Sequence, residues 1–289
     1  MMKKFKPHIY LFLTIIFWGS SFPIISFLLK IFPPIELALS RFFIPAMFAI
    51  SYVVLFKKIV NKEDVTKLFF SGLAGVFAFT CFINLGLEKM SVGAGSFIVN
   101  CNPLITTLIG VIFLKEKVKT YFWIGICICV VGIFIISFEN NERYDFNFGI
   151  IYFLFAAASV SIYFHLIKPL VVKYGTMTVF CYTIIFGTLP MLAWLSETFY
   201  LILDQSLDIK LSVLWLTLLS TLIPYYTWTH ALGHFGANKA SFFLFLIPVI
   251  AIMIDFIIYR NYPNFLTIVA GVIILGTILR IMFLNYKEK

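Results

Sequence analysis

The ionisable side chains that lie inside apolar stretches of this sequence are few: Glu36, Arg41, Asp255, His165 and His230. Placing a charge in hydrocarbon costs about 2.5–3.5 kcal/mol or more, so such groups face one another, a cavity or a solute. Glu36 and Arg41 share one run, where they either partly neutralise each other as an interfacial ion pair or take a role in substrate binding or coupling. Asp255 either pairs with Arg260 or carries a proton. The imidazoles titrate near neutrality when exposed, and a buried, hydrogen-bonded neutral ring is the commoner state. Three amides (Asn84, Asn100 and Asn102) and three aromatics (Trp18, Tyr163 and Tyr226) are candidates to hydrogen-bond and stack a small solute. Tyrosine and tryptophan ordinarily sit in interfacial belts, whereas Trp18 and Tyr163 fall near the middle of their runs. This is binding chemistry without bond-making. The sequence has no P-loop, H-E-x-x-H, G-x-S-x-G or dinucleotide fingerprint. Its 5 cysteines lie in apolar runs without a C-x-x-C. An enzyme, a cofactor and a metal site are therefore not expected.

The elements that carry these residues are set by composition. The 289 residues are 62% hydrophobic and only 12% charged, with a mean hydropathy of +1.02. Continuous apolar runs of about 20 residues recur along the chain, so the fold class is an all-α integral membrane protein. The net charge of +9 is scattered over short connectors and forms no basic face, which argues against a nucleic-acid partner. Ten spans are expected near 9–29, 35–56, 68–87, 92–114, 120–138, 148–167, 176–199, 211–233, 238–259 and 264–284. With both termini in the cytoplasm, 16 lysines and arginines fall on inner segments and 5 on outer ones, while Arg41 lies within a span. The basic start, MMKKFKPHIYLF, is read as the beginning of a retained first helix.

A shift of 145 residues superposes Pro45 on Pro190, Pro103 on Pro248 and Trp18 on Tyr163. It predicts two repeats, 1–144 and 145–289. With five spans each, the second is inverted relative to the first, an arrangement that holds solute near the midplane. Prolines within spans free backbone carbonyls. Pro103 and Pro248 are therefore expected to bend spans 4 and 9 towards a cavity. In WGSSFP at 18–23, the serine hydroxyls are expected to satisfy backbone near Pro23. Glycines in spans 5 and 10 are expected to serve close packing.

These residues resemble the EamA-type members of the drug/metabolite transporter superfamily. The resemblance is carried by WGSSF at 18–22, PPIELALSRF at 33–42 and the block LGLEKMSVGAGSFIVNCNPLITTLIGVIFLKEKV, which recurs as ALGHFGANKASFFLFLIPVIAIMIDFIIYR. It implies ten spans in two inverted five-helix repeats, a cavity lined by spans 1, 3, 4, 6, 8 and 9, and spans 5 and 10 as supports. Asn261 stands where the first copy has Glu116, which favours a structural role for Glu116. The function expected is secondary, ATP-independent export of small metabolites such as amino acids, amines or drug-like solutes by alternating access. The rival readings are import of a nucleotide-linked or phosphorylated metabolite, or a non-transporting membrane subunit. Only Arg41 lies clearly within a span to match a phosphate, which disfavours the import reading. The expected partners are a small-molecule solute and the bilayer of the cytoplasmic membrane, with the chain acting as a monomer.

Overall fold

The computed structural model describes residues 2–115, 119–136, 138, 147–224, 227–228, 244 and 246–287. Among them the chain forms ten helical stretches and no strand. These are α1 (Met2–Leu28), α2 (Pro34–Leu55), α3 (Lys62–Leu87), α4 (Val92–Val99 and Asn102–Leu114), α5 (Thr120–Ile136), α6 (Gly149–Tyr174), α7 (Thr176–Leu203), α8 (Leu207–Leu214 continuing through Trp215–Leu222), α9 (Leu246–Tyr259) and α10 (Phe265–Lys287). Six of them, α1, α2, α3, α4, α6 and α7, are long and apolar enough to cross a bilayer; α5, α9 and α10 are shorter apolar helices. The chain is an all-α membrane protein. Its lipid-facing surface is apolar, with Met47, Phe48 and Val54 of α2 and Ile124, Val130 and Phe134 of α5 exposed.

Local chemistry sets the helix ends. Pro34 opens α2, where a missing N–H costs nothing. The Ser91 hydroxyl caps α4 by accepting from the Ala94 N–H at 3.1 Å. Lys115 (φ 54°) and Gly175 (φ 80°) end α4 and α6 in left-handed backbone. Two helices carry a π-helical segment, Leu73–Ala78 in α3 and Trp215–Leu222 in α8. Moved by 145 residues, the first becomes 218–223 and overlaps the second. α7 tightens to a 3₁₀ turn at Leu189–Trp194, which holds Pro190.

The interruption of α4 lies ahead of the proline expected to cause it. Helix stops at Val99, Asn100 and Cys101 flatten to ψ −4° and −3°, and helix restarts at Asn102 with Pro103 in its first turn. Pro248 stands in the first turn of α9 as described. Most residues just before it lie outside the described set.

Several helix contacts recur when each helix n is exchanged with n+5. α1 packs on α9 as α6 packs on α4. α3 packs on α7 as α8 packs on α2, and α3 on α6 as α8 on α1. α2 with α7 and α5 with α10 are their own counterparts. The α5–α10 contact is close because Ile281 and Ile274 of α10 fill the space over Gly125 and Gly132. The expectation for spans 5 and 10 fails at Gly276, which has nothing within 4 Å of where a Cβ would stand. The connectors define two faces of the bundle. The near face has 56–61 and 175, and the far face has 29–33, 88–91 and 260–264.

Candidate functional site

The buried polar groups gather into two seams. The first joins α1, α2 and α8. Pro224 lacks an N–H, so the carbonyl of Ser220, one turn back, loses its ordinary helical partner. Arg41 reaches across from α2 and supplies one: its Nη2 donates to the Ser220 carbonyl at 3.1 Å, and its Nε donates to Thr221 Oγ1 at 2.9 Å. The guanidinium also lies 5.3 Å from the Phe42 ring centre. Among the described residues, no bond joins Arg41 to Glu36, contrary to the ion-pair alternative. The two are five residues apart, about 140° around the same helix, so they point to different neighbours. Glu36 instead borders a hollow of about 880 Å³ with Glu197 and Asp204.

Across the seam, Ser220 Oγ donates to the Phe17 carbonyl at 2.9 Å and Trp215 Nε1 donates to Ser20 Oγ at 3.0 Å. The hydroxyls of Thr14 and Thr227 are 2.7 Å apart. Ser20 and Ser21 donate back to the carbonyls of Phe17 and Trp18 at 2.9 and 2.6 Å, so the polar centre of span 1 is satisfied within protein. Trp18 packs against Trp228 with ring centres 5.6 Å apart, and Phe17 meets Trp215 edge-on at 6.0 Å. A half-buried cation, hydroxyls and indole rings therefore share one region between α1, α2 and α8.

The second seam joins α4 and α6 just past the α4 interruption. Ser161 Oγ lies 2.9 Å from Asn102 Oδ1 and 2.7 Å from the Ala157 carbonyl, with one proton to share between them. Thr106 donates to Ser161 Oγ at 2.9 Å. His165 Nδ1 is 2.9 Å from the Ser161 carbonyl. A carbonyl only accepts, so Nδ1 donates here.

The remaining expected site residues lie apart from these seams. Asn100 folds back on its own helix, donating to the Ser96 carbonyl at 2.8 Å. Asn84 is fully buried and donates to the Pro34 carbonyl at 2.8 Å, and its Oδ1 has no partner. The Tyr163 ring lies across the π-helical part of α3 at Gly75, 2.5 Å from where a Cβ would stand. Asp255 accepts from Asn261 Nδ2 at 3.0 Å rather than pairing with Arg260, whose backbone turns left-handed at φ 58°. Tyr226 and His230 lie outside the described residues.

Sequence reading missed Thr106, Ser161, Ser220, Thr221 and Trp215. The hydroxyl pair Ser220–Thr221, one turn before an in-span proline, was a usable signal. It also missed a clamp on the near face. Lys173 Nζ and the Tyr174 hydroxyl each donate to Asp64 Oδ2 at 2.7 Å, and Tyr174 accepts from the Asn61 N–H at 3.1 Å. These groups lie beyond the expected spans 68–87 and 148–167. The Lys173 ammonium and then the Tyr174 hydroxyl hold the Asp64 carboxyl below the usual carboxylate range.

Comparison with known proteins places the chain in a family. Residues 5–138 and 147–283 each match the model of the EamA-like transporter family. The chain is 30% identical to an uncharacterized transporter, YdfC, of Bacillus subtilis strain 168, over 90% of this chain and 85% of that one. It is 25% identical to a probable terminal-alkyne amino-acid exporter of Streptantibioticus cattleyicolor, over 93% and 91%. It is 25% identical to an S-adenosylmethionine uptake transporter of Rickettsia conorii, over 88% and 83%.

Proposed function

The chain belongs to the EamA-like transporter family, and from that premise we propose that it exports small metabolites carrying an α-amino carboxylate. It is a membrane transporter of small solutes and not an enzyme. In the proposed mechanism, the halves 1–144 and 145–289 are inverted repeats that rock about a midplane site. Both termini stand in the cytoplasm, and the near face is the cytoplasmic one. The helix pairings that recur under exchange of n with n+5 support two equivalent halves.

The observation that carries the solute class is the seam at Arg41. A guanidinium stays charged at any physiological pH and presents a planar fork that suits a carboxylate. Here it reaches from α2 to the Ser220 carbonyl and the Thr221 hydroxyl of α8, with Trp18 on the same seam to offer a π-face to an apolar or cationic side chain. The solutes named for two relatives, an amino acid and S-adenosylmethionine, both contain an α-amino carboxylate. Their names differ in direction. The scarcity of cations within spans disfavours a phosphorylated cargo.

The test is a thermal-shift screen of purified protein in detergent, followed by flux from liposomes. A ligand of the folded state raises apparent stability with its concentration over its Kd. The expectation is a dose-dependent shift with α-amino acids that weakens at least tenfold in Arg41→Gln and in Trp18→Ala. Protection by α-amino acids that is unchanged in Arg41→Gln refutes the solute class.

A further inference from the structure

On the far face, the ends of α1, α4 and α9 and the connectors 88–91 and 260–264 enclose a cavity of about 370 Å³. Its polar lining includes Ser26, Glu88, Lys89, Asp255, Asn261 and Tyr262. Glu88 and Lys89 are exposed at its edge. Asp255 differs from them: it projects from the last turn and a half of α9 and is only 8% exposed. Asn261 Nδ2 occupies its Oδ1. Its other oxygen, Oδ2, takes no bond from the described residues, and Asp255 lines the cavity. The exposed Lys30 side chain, just past the end of α1, acts electrostatically on this carboxyl.

We infer that this cavity is a second solute subsite, which takes an organic ammonium group on Asp255 Oδ2. A buried carboxylate with one oxygen unfilled is costly unless a cation completes it. The volume admits a group the size of a small amine, and Tyr262 adds an aromatic wall suited to a cation. The 145-residue exchange that relates α9 to α4 does not repeat this carboxylate, since it brings Asp255 onto Gly110. A solute released from the Arg41 seam by its carboxylate end would thus meet a carboxylate for its ammonium at the far face. This assignment rests on the transport reading for its purpose, but its chemistry does not depend on it.

The probe is n-butylamine hydrochloride, with sodium butyrate and sodium chloride at equal ionic strength. Apparent melting of the full-length protein is followed in detergent. Butylamine is expected to raise the midpoint in a dose-dependent way, and Asp255→Asn, which keeps size and a partner for Asn261, is expected to weaken that response at least tenfold. Asp255→Glu keeps a carboxylate and is expected to retain a response, which separates loss of the site from loss of the fold. An equal response in Asp255→Asn, or equal protection by sodium chloride, overturns the ammonium site. Amino-acid flux in liposomes is measured on the same variants. Arg41-dependent flux with no butylamine response refutes the subsite and leaves the transport reading standing. Butylamine protection that needs Asp255, without any flux, does the reverse.

Discussion

Gly72→Ala offers a quantitative test of how α3 and α7 meet. A Cβ added at Gly72 would stand 2.6 Å from the Gly187 nitrogen and 2.7 Å from the Thr183 carbonyl oxygen. Both are backbone atoms, so no rotamer change relieves the clash. Reaching an ordinary contact of 3.4 Å requires the helices to part by about 0.8 Å along that line. Overpacking of this kind costs about 1–3 kcal/mol. At roughly 2–4 °C per kcal/mol, the apparent melting midpoint should fall by about 2–12 °C. Gly187→Ala meets the same contact from the other side, since its Cβ would lie 2.5 Å from the Gly72 carbonyl oxygen. The double variant should therefore lose less than the sum of the two. Gly276→Ala is the control: it has open space around it on the lipid side of α10. Alanine there removes a helix penalty of about 0.5–1 kcal/mol, so the midpoint should hold or rise. The assay is size-exclusion of heated, detergent-solubilised protein at one fixed heating rate. A wild-type midpoint in Gly72→Ala, or a drop in Gly276→Ala matching it, would refute the packing argument.

Two further outcomes follow from the seams and the clamp. Ser161→Ala leaves Asn102 Oδ1 and Thr106 Oγ1 without their shared partner, and should destabilise by about 1–3 kcal/mol, read as a lower melting midpoint than for an exposed control such as Ser51→Ala. Asp64 is depressed in the folded state by Lys173 and Tyr174, so its contribution is present above the ordinary carboxylate range and is lost as pH falls through the folded value. Lys173 is raised by Asp64, so its share is lost only as pH rises past the ordinary lysine range. Melting midpoints across pH should form a plateau between these limits, and Asp64→Asn should remove the acid shoulder.

The spans were legible because they are written locally: apolar runs need no partner to be seen. Arg41 was legible as a cation out of place. Its partners were not, because reaching Ser220 depends on how α2 crosses α8, 179 residues away. The Asp64 clamp escaped for the same reason, with Lys173 lying 109 residues on. The Glu36–Arg41 ion-pair alternative failed on helical phase, which was available from counting. The π-helical segments gave no sign, since a wide turn demands no special residue type. Asn261 was read as a departure from a repeat, and the structure makes it the partner of Asp255.

The two π-helical segments also give α3 and α8 a gear. A π turn holds one residue more than the α turn it replaces, so closing it to α would shift everything beyond by about 1.5 Å and turn it by about 100°. In α3 that would swing Asn84 off Pro34, and in α8 it would carry Ser220 and Thr221 out from under Arg41. A screw motion of that size, one notch in each half, redirects a buried face without breaking a helix.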